Sequence, residues 1–400
     1  MVVSYRAGPW LEPCLASVAD QVDEIVLVDN GSVEQAVAGV GRRLGAVVVE
    51  STTNRGFSGG VNLGLARARG DVVALLNDDA TADATWVSSS TELLADASVA
   101  AVGPKVLLTR RYGEIRLDCD PWYAPGDARP LGRRLTSVTV EGADVLTELA
   151  GPGIHRTEST GAAGTAGATG TASAAWRWTT GSGAVFVPDA EPGAAVCVEG
   201  EPVAVQRACT LVNSAGIYLR HDGASGDFGL HAEDDGRFDA PAERFGVSGV
   251  ALVARAETFR RFGAMAEPYF TYYEDVDWAW RMRLAGLRLL YDPRAVVRHQ
   301  GAATSGGVSS PRSRFLAERN RLLTLARNAP AGVAARLVRQ GMREDTQPGV
   351  RAALSRMLPW ALLTRVGQAR FRTRTPQEVW ERWADADVTW GDGEGTSWQA

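Results

Sequence analysis

The chain has 400 residues, of which 45% are hydrophobic and 22% are charged, and its formal net charge is −5 at pH 7. These values describe a soluble globular protein with two domains, or with one large domain that carries insertions. The acidic balance argues against a general nucleic-acid binder, because such proteins carry a basic surface stripe. No apolar run approaches the ~20 residues that a membrane span needs, and no secretory signal is indicated. The four cysteines are scattered without a CxxC pair, so we expect a reduced, cytoplasmic protein.

The first 108 residues alternate between apolar, β-branched runs and helical patterns. This rhythm predicts a parallel, doubly wound α/β sheet covered by helices on both faces. The predicted strands are Val2–Tyr5, Ile25–Val28, Ala46–Glu50, Val72–Leu76 and Val99–Val102, and the predicted helices are Trp10–Ala19, Val33–Leu44, Ser58–Ala68 and Ala84–Ala95.

The rhythm is lost over residues 109–244, where glycine, proline, threonine and aromatic residues dominate. Short alternating runs such as Ala184–Val187 predict a β-rich insertion, and the low-complexity stretch 159–172 predicts a mobile loop. The regular pattern returns over 245–313, and residues 314–400 are expected to form a helical C-terminal region. Predicted elements in the returning part are strands at Val247–Val253, Leu287–Tyr291 and Ala295–Arg298, and helices at Glu257–Phe262 and Glu274–Leu284.

Acidic side chains follow two of the predicted strands. Asp29 ends the second strand, where its carboxylate can accept a hydrogen bond from the N3–H of a uracil or thymine ring; an Asx turn or a helix cap would also explain it. Asn77-Asp78-Asp79 follows the fourth strand directly. Like charges at the carboxyl edge of an open α/β sheet repel each other without a cation, so this triplet predicts a Mg²⁺ or Mn²⁺ site for a diphosphate. Helix capping is the structural alternative.

A glycine-rich segment, NRGFSGGVN, follows the third strand and begins a helix. Its glycines would let backbone N–H groups approach a phosphate or ribose at the helix N-terminus. It matches neither GxGxxG nor a Walker loop, and an ordinary glycine-rich turn is the alternative. The candidate nucleotide-binding residues here are Asn54, Gly56, Gly59 and Asn62.

A second acidic cluster, Glu274-Asp275-Val276-Asp277, begins a predicted helix. Carboxylates at a helix N-terminus are favoured by the dipole, which explains Glu274, and Arg281 lies at i+4 to pair with Asp277. Asp275 remains as the candidate general base for an acceptor hydroxyl.

Three further features admit both a functional and a structural interpretation. Trp278 and Trp280 could stack on an acceptor sugar or pack in the core. Arg319 and Arg321 could bind a diphosphate or lie on a solvated helix face. His299 ends a predicted strand, where it is either a structural residue or a nitrogen ligand beside Asp79 that favours Mn²⁺ over Mg²⁺.

The segment Leu354–Arg372 mixes arginines with leucine, methionine and tryptophan. This combination is typical of attachment to a membrane surface, although it also fits a helix packed on its own domain.

Six segments in this order resemble family 2 glycosyltransferases with the GT-A fold. They are VVSY (2–5), VDNGS (28–32), NRGFSGGVNLG (54–64), LLNDDA (75–80), YYEDVDWAWR (272–281) and RNRL (319–322). The resemblance covers residues 1–108 and 245–330. It implies a Rossmann-like, mostly parallel sheet with flanking helices, to which the β-rich insertion and the helical C-terminal region are added.

The resemblance also implies roles for individual residues. Asp29 would read the base, and Asp79 and His299 would contact the divalent cation, Mn²⁺ or Mg²⁺. Asp275 would be the catalytic base. The remaining candidate contacts are Ser4, Tyr5, Asn77 and Asp78 for the nucleotide, and Glu274, Trp278, Arg281, Arg319 and Arg321 for the acceptor or diphosphate.

These implications predict an inverting transfer from a nucleoside-diphosphate sugar to a glycan or lipid-linked glycan. Segments RHDGASGDFG (220–229) and EDDGRFDAPAE (233–243) resemble bacterial rhamnosyltransferase-like members, which favours a dTDP-rhamnose or UDP-hexose donor and cell-wall polysaccharide synthesis. A sugar nucleotidyltransferase is disfavoured, because Ser4–Gly8 lacks the basic glycine-rich loop that grips a triphosphate. A non-catalytic nucleotide- or glycan-binding scaffold is the other alternative, and it has no need for a base and a metal site together.

Overall fold

The fold is described from a computed structural model, which covers residues 1–6, 8–32, 36–125, 127, 129–155, 158–159, 175–301, 310–344 and 347–385. The chain divides into two compact units. Within the described residues, unit 1 comprises Met1–Leu107, Ser214–Phe228 and residues 236–385, and unit 2 comprises Leu108–Asn213 and Gly229–Asp235. The predicted insertion at 109–244 is therefore too long, because Ser214–Phe228 and the residues after 235 belong to unit 1.

Unit 1 contains a central sheet and ten α-helices among its described residues. Its strands are β1 Val2–Ser4, β2 Val26–Asn30, β3 Val47–Ser51, β4 Val72–Asn77, β5 Ala80–Ala82, β6 Val99–Leu108, β7 Ile217–Arg220, β8 Ser225–Asp227, β9 Ala242–Glu243, β10 Ala251–Arg255, β11 Arg288–His299 and β12 Ala384–Asp385. Its helices are α1 Leu11–Val18, α2 Ala36–Arg43, α3 Gly56–Arg67, α4 Trp86–Leu93, α5 Ala256–Phe262, α6 Glu274–Leu284, α7 Pro311–Asn328, α8 Ala331–Glu344, α9 Val350–Gln368 and α10 Pro376–Trp383.

The central sheet has the strand order β9-β11-β6-β10-β4-β1-β2-β3. The pairs β3-β2, β2-β1 and β1-β4 are parallel, as the alternation of strands and helices predicts. Beyond β4 the sheet contains antiparallel pairs, because β10 runs against both β4 and β6, and β9 runs against β11. The sheet is therefore mixed, and its parallel half is built from the first 77 residues.

Two hydrophobic clusters cover the two faces of this sheet. One packs β2, β4 and β10 residues against α3, α5, α6, α7 and α9, and the other packs the opposite face against α1, α2 and α4. Strands buried on both faces explain why the sequence shows continuous apolar runs rather than alternation.

The predicted strands Leu287–Tyr291 and Ala295–Arg298 are one continuous strand, β11. The intervening Asp292 accepts a hydrogen bond from the Arg294 N–H at 3.1 Å and pairs with the Arg294 guanidinium at 2.9 Å, and the backbone stays extended between them. This continuity carries His299 to the far end of the strand.

Unit 2 consists of small antiparallel sheets around its own apolar core, and no α-helix occurs in the part of it that the structure describes. The β-rich character predicted from its composition is confirmed. Its strands within the sheets are Tyr112–Arg116, Arg134–Leu135, Val138–Val140, Ala143–Asp144, Glu158–Ser159, Ala175–Trp178, Ala184–Pro188, Val196–Val198, Glu201–Val203 and Arg207–Cys209. The predicted mobile loop at 159–172 falls, apart from residue 159, outside the described residues.

The C-terminal region is helical, as predicted. Ser310 caps α7 by accepting a hydrogen bond from the Ser313 N–H, and Thr375 forms a capping box with Glu378 at the start of α10. Among the described residues, none of the helices combines the length and the apolar character that crossing a bilayer requires.

Candidate active site

The carboxyl ends of β1, β2 and β4 meet at one edge of the sheet. Ser4 pairs with Asp29 across β1 and β2, and Val3 pairs with Asn77 across β1 and β4. The parallel register therefore brings three separate sequence motifs side by side, at the edge where open α/β folds bind ligands.

Asp29 is buried, and its Oδ1 accepts a hydrogen bond from the Ser32 N–H at 3.0 Å. This contact is the Asx-type turn that the sequence offered as the structural interpretation. Ser32 Oγ in turn donates to the carbonyl of Tyr5 at 2.6 Å. The turn thus ties the end of β2 to the end of β1 and fixes where the Asp29 carboxylate lies.

The glycine-rich loop is held by amide side chains. Asn30 Nδ2 donates to the Gly56 carbonyl at 2.9 Å, Asn30 Oδ1 accepts from the Arg55 N–H, and Asn54 Oδ1 accepts from the Gly56 N–H. Gly56 has φ = +70°, and a Cβ there would lie 2.2 Å from the Phe270 carbonyl oxygen. Only glycine fits, so this position is explained by backbone packing.

Asn62 and Gly59 lie on α3 rather than in an open phosphate loop. Asn62 exchanges two hydrogen bonds with the backbone of Met265, at 3.0 and 3.1 Å. A Cβ on Gly59 would lie 2.6 Å from Arg55 Cβ. Both residues serve contacts within unit 1 in this structure.

Asp79 and His299 are adjacent, as the sequence predicted. Their pairing follows from the antiparallel register of β11 with β5, in which His299 faces Ala80. His299 Nε2 lies 3.0 Å from Asp79 Oδ1, and both side chains are buried. A carboxylate oxygen and an imidazole nitrogen at this distance are a chemically suitable pair of Mn²⁺ ligands.

The neighbouring Asp78 is partly buried. Burial raises the pKa of its carboxyl to about 6, an effect opposed by a hydrogen bond with Ser4 and reinforced by the nearby charge of Asp79. A bound cation would relieve this clustering of carboxylates.

Asp275 lies at the N-terminus of α6, which begins and ends where the sequence predicts. Its Oδ2 accepts a hydrogen bond from the Gly249 N–H at 2.9 Å, and a Cβ on Gly249 would lie 3.3 Å from the same oxygen. Burial raises the pKa of Asp275, which makes its carboxylate a better proton acceptor. Gly249 precedes Val250, whose carbonyl accepts from the Asn77 N–H, so α6 and β4 meet at this place.

Glu274 is buried beside Asp275, and its Oε2 has no hydrogen-bond partner among the described residues. Burial, reinforced by the charge of Asp275, raises the pKa of Glu274 well above its ordinary value.

The backbone before α6 is held in an unusual conformation. Phe270, Tyr272 and Tyr273 all have φ = 69°, a left-handed region that costs a non-glycine residue free energy. The buried Asn320 on α7 anchors this segment, because its Nδ2 lies 3.0, 2.9 and 2.7 Å from the carbonyls of Tyr269, Thr271 and Tyr272. Asn320, the asparagine of the RNRL segment, therefore fixes the backbone that leads into α6 and Asp275.

The arginines around Asn320 have structural partners. Arg319 donates to the carbonyls of Pro268 and Tyr269 at 3.2 and 2.8 Å, and Arg321 pairs with Glu318 at 2.7 Å. Arg319 and Arg321 therefore do not lie on a solvated helix face, which was the structural alternative. In the contacts named here, neither guanidinium binds a carboxylate of the candidate site.

Asp277 and Arg281 form the predicted i, i+4 pair at 3.0 Å. Asp277 is fully buried and also contacts Arg327 at 2.7 Å and Asn328 at 2.8 Å. Arg281 additionally donates to three carbonyls, those of residues 262–264. The pair is part of a buried structural network. The contacts of Arg281 therefore stabilise the fold and do not support the predicted role in binding an acceptor.

The predicted stacking of Trp278 on an acceptor sugar is wrong. Trp278 is 1% exposed and stacks on Phe259 with centroids 4.9 Å apart. Trp280 is equally buried and stacks on Trp380. Both rings pack in the core, since α6 is covered by neighbouring elements on both sides.

Asp227, at the end of β8, is a site residue that the sequence reasoning missed. Its pKa is raised to about 6, chiefly by burial and also by the charge of Asp275, against the opposing effect of hydrogen bonds with Ser214 and Ser248 and of the charge of His299. Its Oδ1 is inaccessible to water and has no hydrogen-bond partner among the described residues. The interactions with Asp275 and His299 place all three groups in one neighbourhood.

The signal for Asp227 was present in the segment RHDGASGDFG. The sequence pattern places this segment in the insertion, whereas in the structure it belongs to unit 1 and forms the hairpin β7-β8.

Among the described residues, no group of three or more His, Cys, Asp or Glu side chains is arranged to hold a metal ion. Asp79 and His299 supply two ligands. Mg²⁺ and Mn²⁺ sites in enzymes that act on phosphates commonly use one or two protein ligands together with water and substrate phosphate oxygens. The pair therefore fits a divalent cation whose remaining coordination positions water and phosphate oxygens would fill.

Comparison with known proteins bears on this geometry. Residues 1–112 match the family model of glycosyl transferase family 2. A search of curated proteins finds no match.

A solved structure of GalNAc-T7 with UDP, GalNAc and Mn²⁺ is similar to this chain at 12% identity with a TM-score of 0.54, covering 95% of this chain and 55% of that chain. The mannosyltransferase PcManGT from Pyrobaculum calidifontis, in complex with GDP-Man and Mn²⁺, is 15% identical with a TM-score of 0.42 over 92% of this chain and 72% of that chain. This chain thus spans about half the length of the first structure. The likeness to GalNAc-T7, together with the family match, shows the GT-A glycosyltransferase fold that the sequence predicted.

Proposed function

We propose that this protein is a glycosyltransferase that moves a sugar from a nucleoside-diphosphate sugar to an acceptor hydroxyl with inversion at the anomeric carbon. The observation that carries the proposal is the partly buried Asp275, whose carboxylate accepts a hydrogen bond from the Gly249 N–H at 2.9 Å, in the neighbourhood of the Asp79–His299 pair. A candidate base and a candidate cation site together are needed for group transfer from a diphosphate and are superfluous in a binding scaffold.

In this proposal each group has a separate task. Asp29, positioned by its turn at the sheet edge, would accept a hydrogen bond from the base of the nucleotide. Asp79 and His299 would hold a divalent cation, which when bound would neutralise charge on the leaving diphosphate.

Asp275 would take the proton of the acceptor hydroxyl while the oxygen attacks the anomeric carbon from the face opposite the nucleotide. The bond between that carbon and the diphosphate oxygen breaks, and the nucleoside diphosphate leaves. Since the pKa of Asp275 is raised, proton transfer is better matched to neutral pH than it would be for an exposed aspartate.

For the donor we propose dTDP-rhamnose or a UDP-hexose, and for the acceptor a glycan or lipid-linked glycan. The support is the similarity of residues 220–229 and 233–243 to segments of rhamnosyltransferase-like proteins.

The test is release of nucleoside diphosphate by the purified full chain with Mn²⁺, across a panel of dTDP-, UDP- and GDP-sugars with and without simple glycoside acceptors. Asp79→Ala is the site variant, and Asp20→Asn, a change at an exposed aspartate of unit 1, is the matched control. Donor-selective release that is lost in Asp79→Ala and kept in Asp20→Asn supports the proposal. Absence of both release and Mn²⁺-dependent nucleotide binding would contradict it.

A further inference from the structure

Helix α9 presents an apolar face to solvent. Among the described residues, the large hydrophobic side chains that are exposed include Leu362, Leu363 and Val366, with exposed fractions of 51%, 73% and 74%. Pro359, one turn earlier, is exposed as well. The spacing 359, 362, 363 and 366 places these four residues on one side of the helix, while Leu354 and Ala361 on the other side are buried in the core. We call the exposed set the α9 face.

Exposed arginines border this face. Arg356 lies one turn before Pro359 and Arg370 one turn after Val366, and both are exposed. The preceding helix α8 adds Arg336, Arg339 and Arg343, which are exposed on its surface. The basic residues thus lie on consecutive helices rather than at one isolated position.

The charge of this region is opposite to that of the rest of the chain. Residues 331–372 contain eight arginines and no lysine, against two acids, Glu344 and Asp345, so their formal charge is 8 − 2 = +6. The whole chain has a charge of −5, so the remainder carries −5 − 6 = −11. Helix α9 itself contains no acidic residue over Val350–Gln368. An apolar helix face bordered by arginines, in a region of net positive charge, is typical of segments that lie at the interface of an anionic bilayer.

We propose that the α9 face, with the exposed arginines between residues 336 and 370, is a docking surface for a membrane that contains anionic lipid. The leucines and Val366 would enter the boundary between headgroups and acyl chains, and the arginines would lie at the level of the lipid phosphates. Helix α9 has 19 residues and is about 28 Å long at 1.5 Å per residue, so it would lie along the surface. This inference does not depend on the reaction that unit 1 catalyses.

Charge is the reason to choose a lipid surface over a second copy of the chain. Two copies paired through this face would bring two +6 regions together, whereas an anionic leaflet attracts each arginine. The attraction is screened within a Debye length of about 8 Å at physiological ionic strength, so binding should weaken as salt is raised.

The experiment is vesicle co-sedimentation of the full chain with phosphatidylcholine vesicles and with vesicles of phosphatidylcholine and phosphatidylglycerol at 3:1. We expect enrichment on the anionic vesicles alone, falling as NaCl is raised from 50 to 500 mM. Leu362→Gln/Leu363→Gln keeps helix propensity and should reduce binding at least tenfold. Arg356→Gln/Arg370→Gln should reduce it about fivefold for each arginine removed.

The matched control is Arg69→Gln/Arg260→Gln, which removes two exposed arginines outside α8 and α9 and should bind like the wild type. Circular dichroism checks that every variant is folded. Equal binding of all variants, or no enrichment on anionic vesicles, would overturn the proposal. A concentration-dependent dimer that the leucine variant abolishes, without vesicle binding, would assign the face to a second copy and would also overturn it.

Because the readout is vesicle binding, its failure is distinguishable from failure of the glycosyltransferase proposal, which is read from nucleotide release.

Discussion

Replacing Asn320 by alanine should separate the positioning of Asp275 from its chemistry. The Asn320 amide lies within hydrogen-bond distance of the carbonyls of residues 269, 271 and 272, and the segment it anchors contains three residues with φ = 69° immediately before α6. In the variant the partly buried carbonyls of Thr271 and Tyr272 lose this donor, and the carbonyl of Tyr269 keeps only Arg319. The left-handed residues then lack the contacts that compensate for their conformation.

The cost can be worked from these contacts. An amide has two N–H groups, so at least two carbonyls lose a good donor, and each buried carbonyl left without one costs about 1–2 kcal/mol. The expected loss in the free energy of unfolding is therefore about 2–4 kcal/mol. Arg319 still donates to the Tyr269 carbonyl at 2.8 Å, which favours the lower end of this range.

The activity loss should exceed what unfolding explains. Relaxation of residues 269–273 would move the start of α6, and a displacement of Asp275 by about 1 Å would lower kcat about 100-fold. Urea denaturation gives the stability, and nucleoside-diphosphate release under conditions where the variant is folded gives kcat and KM. We expect kcat to fall with little change in the KM for the donor.

The matched control is Gln21→Ala. Gln21 also bridges backbone groups with its amide, accepting from the Val87 N–H and donating to the carbonyls of Ser17 and Asp83, but it does not touch the segment before α6. It should lose about 1–2 kcal/mol of stability and keep kcat. If Asn320→Ala loses stability while its kcat stays at the wild-type value, the positioning argument is refuted.

Three other predictions concern the buried pair of Asp277, the carboxyl of Asp227 and the Asp79–His299 pair. Asp277→Ala should lower the free energy of unfolding by about 3–5 kcal/mol, because it leaves Arg281 and Arg327 buried without their carboxylate; urea denaturation measures this, and a loss below 1 kcal/mol would contradict it. The raised pKa of Asp227, about 6, means that the folded state favours the protonated acid, so stability should fall as pH rises from about 4 to 6; Asp227→Asn should lack this fall, and parallel pH profiles would refute the assignment. EDTA should abolish nucleotide release and Mn²⁺ should restore it, whereas His299→Gln should need a higher Mn²⁺ concentration for half-maximal release; activity that survives EDTA would exclude the cation role of the pair.

The strands of the parallel half of the sheet and helix α6 could be predicted from the sequence because the signals for them are local. Val72–Leu76 and Glu274–Leu284 are recognisable from apolar runs and capping acids alone, and the structure has them as Val72–Asn77 and Glu274–Leu284. Asp79 and His299 are 220 residues apart, and it was the resemblance to a family that brought them together. The β11-β5 register then explains their contact.

The parts that escaped prediction depend on long-range packing. Trp278 and Arg281 lie on the predicted helix, but whether a side chain faces a cleft or the core is decided by the elements that cover it. Asp227 was missed because Ser214–Phe228 follows the insertion in sequence and yet belongs to unit 1 in space. The alternation of strands and helices does not mark that return, and the resemblance of residues 220–229 to family members is its one signal in the sequence.

The most direct test of the central claim compares donor binding with turnover in Asp275→Asn. Isothermal titration of the nucleotide sugar in the presence of Mn²⁺ reports the donor site, and nucleoside-diphosphate release with acceptor reports the transfer. If Asp275 is the base, donor affinity should stay within about threefold of the wild type while kcat falls by about 10²–10⁴-fold. Turnover close to that of the wild type in Asp275→Asn would contradict the account.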